Sequence, residues 1–581
     1  MRILEVSIQR FRGFEDLTLQ PEQHVALVGE PRAGRSDLVE ALRRVLTVDG
    51  VRQTTPSELD LWMLDREFRA EVSVVLGDLG PELEQDFLDH LEAWDPITAA
   101  LAEPLQPTQS GAIEDTEWVV RLCYRIEWSH DQEQAVHWVD FPNESDPGSG
   151  VFTHVPRRLL DLLPVVVIEG SGRPLRLSPR AVFRRILEDS GSNTLGGALD
   201  SLVDALANAG DALAKDADVK SSAVNVLKPV EGSLGSDAST DDILQFVPEG
   251  GSLSGILRSL QPALDLGGPG HLPLYRHGAT ADALLQAGEA LAATADCGAV
   301  VLLDDFGEGL DSMSARHLAS LFRKRSGQVW ISTRRSAAVE PFGANELVRL
   351  FVRDGSRRAA QLGELKTKAE RIAARHLTLQ LLPAASASAV AILEGPHDRA
   401  ALDALANELL QSADQPLPSA HGIALIDAGV VDGSGGATAV ARLAALGTRL
   451  GFHIVGVIDG DPGEDGKAYL AAAEAAADRV VRLPDGAAIE VALIADLSAP
   501  VVVQALRDLC SAYDIAEPPE LDTQSGGALL KSVISILKKN GGLHAQFLEL
   551  LPAGTTPPLL RRILDSVIAA GAARLTGLDQ L

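Results

Sequence analysis

Hydrophobic residues follow two patterns along the chain, and each predicts a different kind of strand. Residues 2–9 alternate between apolar and polar side chains, which is typical of a half-buried β-strand. Continuous apolar runs instead indicate strands buried on both faces of a parallel sheet. These runs are HVALV at 24–28, AVVLL at 299–303, AVAIL at 389–393 and HIVGVI at 453–458. Helical segments follow the first and third runs, so the sequence predicts an α/β fold.

Other segments complete this outline. Strands are predicted at 67–76 and 118–128, whereas residues 81–115 look helical and then irregular, and residues 520–581 look helical. Residues 190–240 alternate helical Ala/Leu stretches with Ser, Gly and Asp loops. This region is interpreted as a helical insertion that serves dimerisation or packs as an arm on its own subunit. The small-residue segment LLPAASASA at 381–389 is the best candidate for a domain boundary.

Composition narrows the class of protein. A length of 581 residues suggests two to four domains. The longest apolar runs, such as Leu163–Ile168, are far shorter than a membrane span, and the N-terminus reads as a strand rather than a signal peptide. Three scattered cysteines form no disulfide or metal framework. A protein of the reducing cytoplasm, with no membrane partner, is therefore expected.

The charge is strongly acidic but unevenly distributed. A formal net charge of −30 argues against non-specific binding to nucleic acid. The stretch from Arg323 to Arg375 nevertheless holds thirteen Lys and Arg against five Asp and Glu, a local balance of +8. This basic stretch is either a solvated surface or a track for a phosphate backbone, and the sequence leaves both open.

A phosphate-binding loop follows the first apolar run. Gly29 and Gly34 stand five residues apart, and Arg35 and Ser36 come next, before a predicted helix. Glycines allow the tight turn, backbone amides at the helix start would hold phosphates, and Ser36 would bind Mg²⁺. Arg35 replaces the usual lysine, which keeps the charge in a bulkier side chain. A plain strand–turn–helix is the alternative.

A second half of the nucleotide site is predicted near residue 300. The run AVVLL ends on Asp304 and Asp305, and the buried run QVWIST ends before Arg334 and Arg335. In P-loop ATPases the acid closing this strand binds Mg²⁺, and the next residue, often Glu, orients water. These features resemble the ABC-type ATPases of the chromosome-maintenance and RecF-like group. The opening motif agrees with that resemblance through Ile8, Phe11, Arg12, Gly13 and Phe14.

Departures from that family predict weak ATPase activity. Arg35 and Asp305 stand where Lys and Glu are usual, and Arg334 or Arg335 occupies the position of a histidine. The segment 272–290 lies where an ABC signature belongs but has no clean L-S-G-G. ATP binding is therefore expected to be possible, with hydrolysis slow or absent.

Four acids close the last two apolar runs. Glu394 and Asp398 form E-G-x-x-D, and Asp459 and Asp461 form D-G-D about 65 residues later. Because the carboxyl ends of parallel strands meet at one edge of a sheet, these acids are expected to share a crevice. Together they cannot ionise there without a cation, and Mg²⁺ or Mn²⁺ prefers such oxygen ligands. The alternative is an ordinary sheet whose strands end in solvated acids.

The four acids resemble those of the Toprim domain over residues 388–500. With the preceding ATPase halves, the domain order is similar to the OLD (overcoming lysogenization defect) nucleases, which include the Gabija defence nuclease. This resemblance implies a two-metal, Mg²⁺- or Mn²⁺-dependent DNA endonuclease, a homodimer or higher oligomer, and a role in antiviral defence with a helicase or other partner. It also implies that Glu394, Asp398, Asp459, Asp461 and Glu490 bind metal, and that Lys531 neutralises charge on the phosphate. A helix-terminal Glu490 and a solvated Lys531 are the alternatives.

The resemblance predicts an α/β chain with an N-terminal ABC-type P-loop ATPase, a helical insertion and a C-terminal Toprim domain. The predicted domains are 1–188 and 246–380 for the ATPase, 189–245 for the insertion, and 388–581 for the nuclease. Two other functions stay open. An ATP-sensing scaffold that recruits a separate effector fits the altered P-loop positions, and a topoisomerase- or primase-like enzyme fits the acids but lacks a zinc-binding set of cysteines.

Overall fold

The structure is a computed structural model that describes residues 1–52, 54–102, 117–168, 263–264, 271–294, 298–363, 367–368, 380–429 and 436–581, with single positions at 201, 205, 217 and 371. The chain divides into two compact units. The first comprises Met1–Leu163, Asp304–Phe306 and Trp330–Leu581, and the second Pro164–Leu303 and Gly307–Val329. The insertion predicted at 189–245 lies outside the described residues apart from the single positions.

Strands and helices alternate through much of the chain, as the hydrophobic pattern predicts. The strands are β1 Arg2–Phe11, β2 Phe14–Leu19, β3 Val25–Gly29, β4 Ala70–Gly77, β5 Leu91–Asp95, β6 Ala100–Leu101, β7 Glu117–Ser129, β8 Gln134–Asp140, β9 Val165–Ile168, β10 Ala263–Leu264, β11 Leu272–Pro273, β12 Val300–Leu303, β13 Gln328–Ser332, β14 Leu347–Arg353, β15 Ser356–Gln361, β16 Ala389–Leu393, β17 Ile423–Asp427, β18 His453–Ile458, β19 Arg479–Arg482 and β20 Gly577–Gln580.

The helices are α1 Arg35–Leu46, α2 Val48–Arg52, α3 Gly80–Asp86, α4 Arg157–Leu162, α5 Ala279–Ala293, α6 Ser312–Arg325, α7 Ser336–Val339, α8 Pro396–Ala413, α9 Ala437–Arg449, α10 Gly463–Ala476, α11 Ile489–Ile494, α12 Ala499–Ala512, α13 Gly526–Lys539, α14 His544–Glu549 and α15 Pro558–Ala572. The mixed α/β class predicted from the sequence is therefore confirmed.

An antiparallel sheet opens the first unit. Its order is β2-β1-β4-β7-β5-β6, and β8 pairs with β7. The alternation seen at 2–9 becomes β1, whose buried positions include Ile3, Val6 and Ile8. Strands β5 and β6 lie in a segment that we expected to be helical or irregular. The expectation of a helix is confirmed at Gly80–Asp86, but it is wrong at β5 and β6, where pairing of β5 with β7 decides the conformation; residues 103–115 lie outside the described residues.

The phosphate-binding loop belongs to a second sheet of the first unit. Strand β3 is fully buried and pairs in parallel with β14 on one side and with Trp330–Ser332 of β13 on the other. Strand β15 pairs antiparallel with β14. Burial on both faces explains why β3 is continuously apolar, and it brings the ends of β3 and β13 to the same edge.

A five-stranded parallel sheet forms the C-terminal part of the first unit. Its order is β17-β16-β18-β19-β20. Helices cover it with a core that includes Leu402, Leu405, Val455, Phe547 and Leu560. The helices predicted beyond residue 520 are present, but β20 was missed because its four residues are mostly exposed and carry no strand pattern.

The second unit contains the parallel pair β9 and β12 and the antiparallel pair β10 and β11. Helix α5 occupies the region where we placed the signature segment and its helix. Asp311 caps α6 by accepting hydrogen bonds from the backbone N–H groups of Met313 and Ser314 at 2.9 and 3.0 Å.

One buried arginine joins the phosphate-loop sheet to the C-terminal sheet within the first unit. Arg349 of β14 is 1% exposed and donates to the carbonyl oxygens of Ala385, Ala387 and Leu450. It also donates to Glu30 Oε1 at 3.2 Å, and its guanidinium lies 3.7 Å from the ring centroid of Phe452. Burial lowers the pKa of Arg349 to about 10, against the attraction of Glu30. The segment 381–389 is therefore held by Arg349.

Candidate functional site

The phosphate-binding loop has the backbone geometry that its glycines predict. Gly29 ends β3 with a φ of 143°, and a Cβ there would lie 1.9 Å from the carbonyl oxygen of Leu350. Only glycine fits this close approach. Gly34 directly precedes α1, and the Nη1 of Arg35 donates to the carbonyl oxygen of Gly29. The loop therefore leads into a helix start, where backbone amides can receive an anion.

Ser36 and Asp304 come together as predicted. Ser36 Oγ donates to Asp304 Oδ1 at 3.1 Å, although the two residues are 268 positions apart. Burial raises the pKa of Asp304, and the hydrogen bond from Ser36 only partly offsets this. A serine hydroxyl beside a half-buried carboxylate is the ligand pair that P-loop proteins offer to Mg²⁺.

Asp305 lies next to this pair in a constrained conformation. Its φ is 46°, which non-glycine residues rarely adopt, and its Oδ1 lies 3.8 Å from Arg334 Nη2. Arg334 stands after β13, where it or Arg335 takes the position of the histidine in the ATPase pattern. Two of the positions that depart from this pattern, Asp305 and Arg334, therefore lie beside each other.

Two arginines that support the loop meet at one carboxylate. Arg12 Nη1 donates to Asp37 Oδ1 at 2.5 Å, and Arg357 donates to Asp37 Oδ2. Asp37 lies in the first turn of α1, directly after Ser36. Arg12 belongs to the opening motif, but Arg357 follows it by 345 residues and was not singled out in the sequence. Arg357 is one of the residues counted in the basic stretch.

The acids of the C-terminal sheet meet at the ends of neighbouring strands. Strands β16 and β18 pair in parallel, so Glu394 and Asp459 leave the same edge. The backbone N–H of Asp459 donates to Glu394 Oε1 at 2.8 Å. The backbone N–H of Gly395 donates to Asp398 Oδ2 at 2.9 Å, which holds Asp398 at the start of α8.

Burial and, to a smaller extent, mutual repulsion raise the pKa values of these acids. Burial, together with the charges of Glu394, Asp398, Glu490 and Asp461, raises the pKa of Asp459 to about 8. Burial, together with Glu394 and Glu490, raises the pKa of Asp398 to about 7. Burial also raises the pKa of Glu394. The group therefore cannot hold its full negative charge at neutral pH without a compensating cation.

These side chains offer the oxygen atoms that a hard divalent cation prefers, but they are not spaced as its ligands. Carboxylate oxygens are the ligands that Mg²⁺ and Mn²⁺ prefer. Within the described ranges, however, no three His, Cys, Asp or Glu side chains converge as a ready-made metal site. Burial is the largest cause of the raised pKa values, and the neighbouring carboxylates add to it.

Glu490 has different surroundings from the other acids. It is 2% exposed at the start of α11, and its Oε1 lies 3.1 Å from His544 Nε2 and 3.0 Å from Lys538 Nζ. Burial alone would raise its pKa, but the hydrogen bonds from His544 and Lys538 lower the pKa of Glu490 to about 2. Glu490 is therefore a charged acid paired with two basic side chains, whereas Glu394 and Asp398 accept hydrogen bonds from backbone N–H groups.

The lysine that reaches this cluster is Lys538. Lys531 is exposed on α13, two turns before Lys538, which corresponds to about 10 Å along the helix axis. A spacing of seven residues places both lysines on nearly the same helix face, so periodicity could not distinguish them. His544 was also missed, because its link to Glu490 spans 54 residues and carries no motif.

Comparison with known proteins gives distant structural neighbours. No family model and no curated protein matches the chain. Among solved structures it is similar to the SmcHead bound to the C-winged helix domain of ScpA, with 14% identity, a TM-score of 0.34 and coverage of 62% of this chain and 98% of that one. The SMC head domain from Thermotoga maritima has 12% identity, a TM-score of 0.27 and coverage of 63% and 100%.

A third neighbour is the Smc head domain with a coiled coil and joint derived from Pyrococcus yayanosii, with 12% identity, a TM-score of 0.32 and coverage of 62% and 97%. Similarities with such low TM-scores carry no argument about this chain. No helix in the described ranges combines the length and apolar character needed to cross a bilayer.

Proposed function

We propose that this chain is a metal-dependent DNA endonuclease with a nucleotide-binding ABC-type ATPase region that regulates it. The observation that carries the proposal is the position of Glu394 and Asp459 at the ends of adjacent parallel strands, with Asp398 in the first turn of the helix that follows Glu394. Asp461 and Glu490 act on the same group through their charges. This group of acids suits binding of divalent cations better than it suits a structural role, because the charges of Glu394 and Asp398 disfavour ionisation of Asp459.

In this proposal the acids hold two divalent cations, Mg²⁺ or Mn²⁺, at a Toprim site. When bound, such ions would lower the pKa of an attacking water and stabilise charge on the leaving oxygen. Asp398, Asp459 and Asp461 are the proposed ligands. Glu394 is oriented by the backbone N–H groups of Asp459 and Ala437 and acts as a ligand or as the general base.

Glu490 and Lys538 take different parts from those first assigned to Glu490 and Lys531. Glu490 holds Lys538 at 3.0 Å, while 53% of the Lys538 side chain is exposed. An ammonium group held at one end and open to solvent can neutralise charge on a phosphate. We therefore propose Lys538 for this role and Glu490 as its anchor.

The N-terminal region is proposed to bind ATP and to turn it over slowly, if at all. Gly29, Gly34 and Ser36 supply the backbone cradle and a hydroxyl beside Asp304. A cradle of amides tolerates the change of Lys to Arg35, whereas hydrolysis needs a placed water and a suitable acid. ATP would then act by setting the conformation of the chain rather than by supplying energy.

DNA is the proposed substrate, and the basic stretch contributes less to binding it than its charge suggests. Arg349 is buried, and Arg357 pairs with Asp37. Neutralising the remaining cations of the stretch should therefore weaken DNA binding only in part and reduce its salt dependence. A homodimer or higher oligomer, a helicase or other partner, a cytoplasmic location and an antiviral role remain part of this proposal.

Cleavage of supercoiled plasmid by the purified full chain tests the function. Cleavage is expected with Mg²⁺ or Mn²⁺, with EDTA and Asp459→Ala both abolishing it, and the assay is run with and without ATP. Asp465→Asn is the matched control, because Asp465 is an exposed acid in the first turn of α10. Equal cleavage by the wild type and Asp459→Ala would contradict the assignment.

An ATP-sensing scaffold is the second candidate. The absence of a converged metal site among the described residues favours it. This candidate predicts calorimetric ATP binding without cleavage under any metal condition, so the plasmid assay distinguishes the two functions.

A further inference from the structure

The side chain of His397 occupies a slot beside the acid cluster. His397 lies in the first turn of α8, directly before Asp398. Its ring stacks on His544, with ring centroids 4.8 Å apart and an angle of 7° between the planes. A Cβ at Gly542, which has a φ of 82°, would lie 2.0 Å from His397 Cε1. The ring therefore lies against the backbone of Gly542, where only glycine leaves room for it.

The backbone that forms this slot belongs to a segment that carries both partners of Glu490. Gly541 and Gly542 form the turn between α13, which contains Lys538, and α14, which begins at His544. Both Lys538 Nζ and His544 Nε2 bond to Glu490 Oε1. His544 is fully buried, so its ring position is set by the groups packed on it. His397 therefore connects the start of α8, at Asp398, with the turn that follows Lys538 at the end of α13.

We propose that His397 is a positioning residue that holds Lys538 and Glu490 in register with Asp398. This inference rests on the proposed nuclease function. The ring acts by its shape and stacking, because contact with Gly542 and His544 requires a flat side chain of this size. Without the ring, the Gly541–Gly542 turn loses the side chain that packs against it, and Lys538 loses its fixed distance from the acids.

The proposed role depends on shape, so a conservative variant separates it from proton transfer. His397→Phe keeps a flat ring on His544 and should keep kcat within about threefold of the wild type. His397→Ala and Gly542→Ala should lower kcat by about 10- to 100-fold, the usual cost of losing an outer support of a metal site. Because DNA contacts elsewhere are intact, KM for DNA should change by less than about threefold.

A second readout needs neither metal nor activity. Amide hydrogen exchange across residues 538–548, measured on the full chain in EDTA, should be about tenfold faster in His397→Ala and Gly542→Ala than in the wild type or His397→Phe. His421→Ala is the matched control, because His421 is an exposed histidine in the same sheet region. It should match the wild type in both measurements.

The two readouts keep this inference distinct from the proposed function. If the wild type does not cleave DNA, the proposed function fails, and the exchange measurement alone decides whether His397 positions the segment. Unchanged exchange in both His397→Ala and Gly542→Ala would overturn the inference. Loss of cleavage in His397→Phe with exchange preserved would also overturn it, because the ring would then act through its nitrogens.

Discussion

The phosphate-loop region and the carboxylate region of the first unit handle charge in opposite ways. Around the loop, most charges are paired, Arg12 and Arg357 with Asp37 and Arg334 with Asp305, while Asp304 accepts a hydrogen bond from Ser36. Around the C-terminal sheet, acids face acids, and the pKa of Asp459 rises to about 8. Both regions lie at the ends of parallel strands, so the fold alone does not cause the difference.

The difference follows from the ligands that we propose for the two regions. An anion needs backbone amides and a cation, which a loop can present at little cost to stability. Divalent cations need several carboxylates close together, which repel one another until the ions bind. The first region is therefore organised before its ligand arrives, whereas the second is strained without it. Each prediction below tests one side of this contrast.

The largest effect is expected from Asp459→Asn. Removing one ligand should reduce DNA cleavage by about 10³-fold or more, which corresponds to about 4 kcal/mol in the barrier. In the metal-free protein the same change removes a repelling charge, so the melting temperature at pH 8 should be no lower than that of the wild type. Plasmid cleavage tests the expected loss of activity, and thermal unfolding in EDTA tests the expected melting temperature. A variant that is both inactive and strongly destabilised would mean that Asp459 is structural.

Arg349→Met tests the link between the two regions. Methionine fills much of the volume but removes the closest cation from buried Glu30, which keeps Arg574 at 3.7 Å, and removes a donor from three carbonyl oxygens. Breaking such a buried pair typically costs about 3–5 kcal/mol. Urea unfolding followed by circular dichroism should show this loss.

Arg399→Met is the matched control for that experiment. The Arg399 side chain is 45% exposed and pairs with Asp403 at 3.4 Å and more distantly with Asp427 at 3.7 Å, so its replacement should cost no more than about 1 kcal/mol. Equal stability of the two variants would mean that Arg349 does not hold the regions together.

The raised pKa values predict how stability and metal binding depend on pH. Asp459, with an ordinary pKa of 3.8 and a folded value of about 8, keeps a proton in the folded state that the unfolded chain loses. The metal-free protein should therefore lose stability as the pH rises from about 4 to about 8. Mg²⁺ should stabilise it more at pH 8 than at pH 6, because the ion binds the deprotonated acids.

Thermal unfolding with EDTA or Mg²⁺ at the two pH values checks this prediction. The rise in melting temperature on adding Mg²⁺ should be a few degrees larger at pH 8 than at pH 6. A change of about 1 kcal/mol shifts the melting temperature of a region of 150–250 residues by about 2–4 °C. Asp459→Asn should weaken both the pH dependence of stability and the pH dependence of stabilisation by Mg²⁺. A wild-type protein that Mg²⁺ stabilises equally at both pH values would contradict the charge-repulsion account.

Elements and site residues differed in how far the sequence could predict them. Buried parallel strands such as β3, β16 and β18 have an unmistakable apolar pattern, because both faces are covered. The acids that come directly after these strands could therefore also be predicted. Partners contributed by distant segments have no such signal, and Lys538, His544 and Arg357 were missed for that reason. Lys531 and Lys538 share a helix face, so only the packing of α13 against the rest of the sheet domain distinguishes them.

The smallest effect is expected at Asp305. Glutamate at this position would reach one methylene further toward a water beside the γ-phosphate, and the P-loop cradle of Gly29, Gly34 and Ser36 would be unchanged. Asp305→Glu should raise ATP turnover by about tenfold, less than the 10²–10⁴-fold that a well-placed base contributes, because the φ of 46° and Arg334 still restrict the side chain. ATP affinity, measured by calorimetry, should stay within about twofold, because it depends on backbone amides.

Ser36→Ala is the control with the reverse pattern. It should weaken binding of ATP with Mg²⁺ and should not raise the slow ATP turnover. If phosphate release by the wild type were already fast and Asp305→Glu slowed it, Asp305 would be the working acid, and the phosphate-loop region would be an active ATPase rather than a sensor.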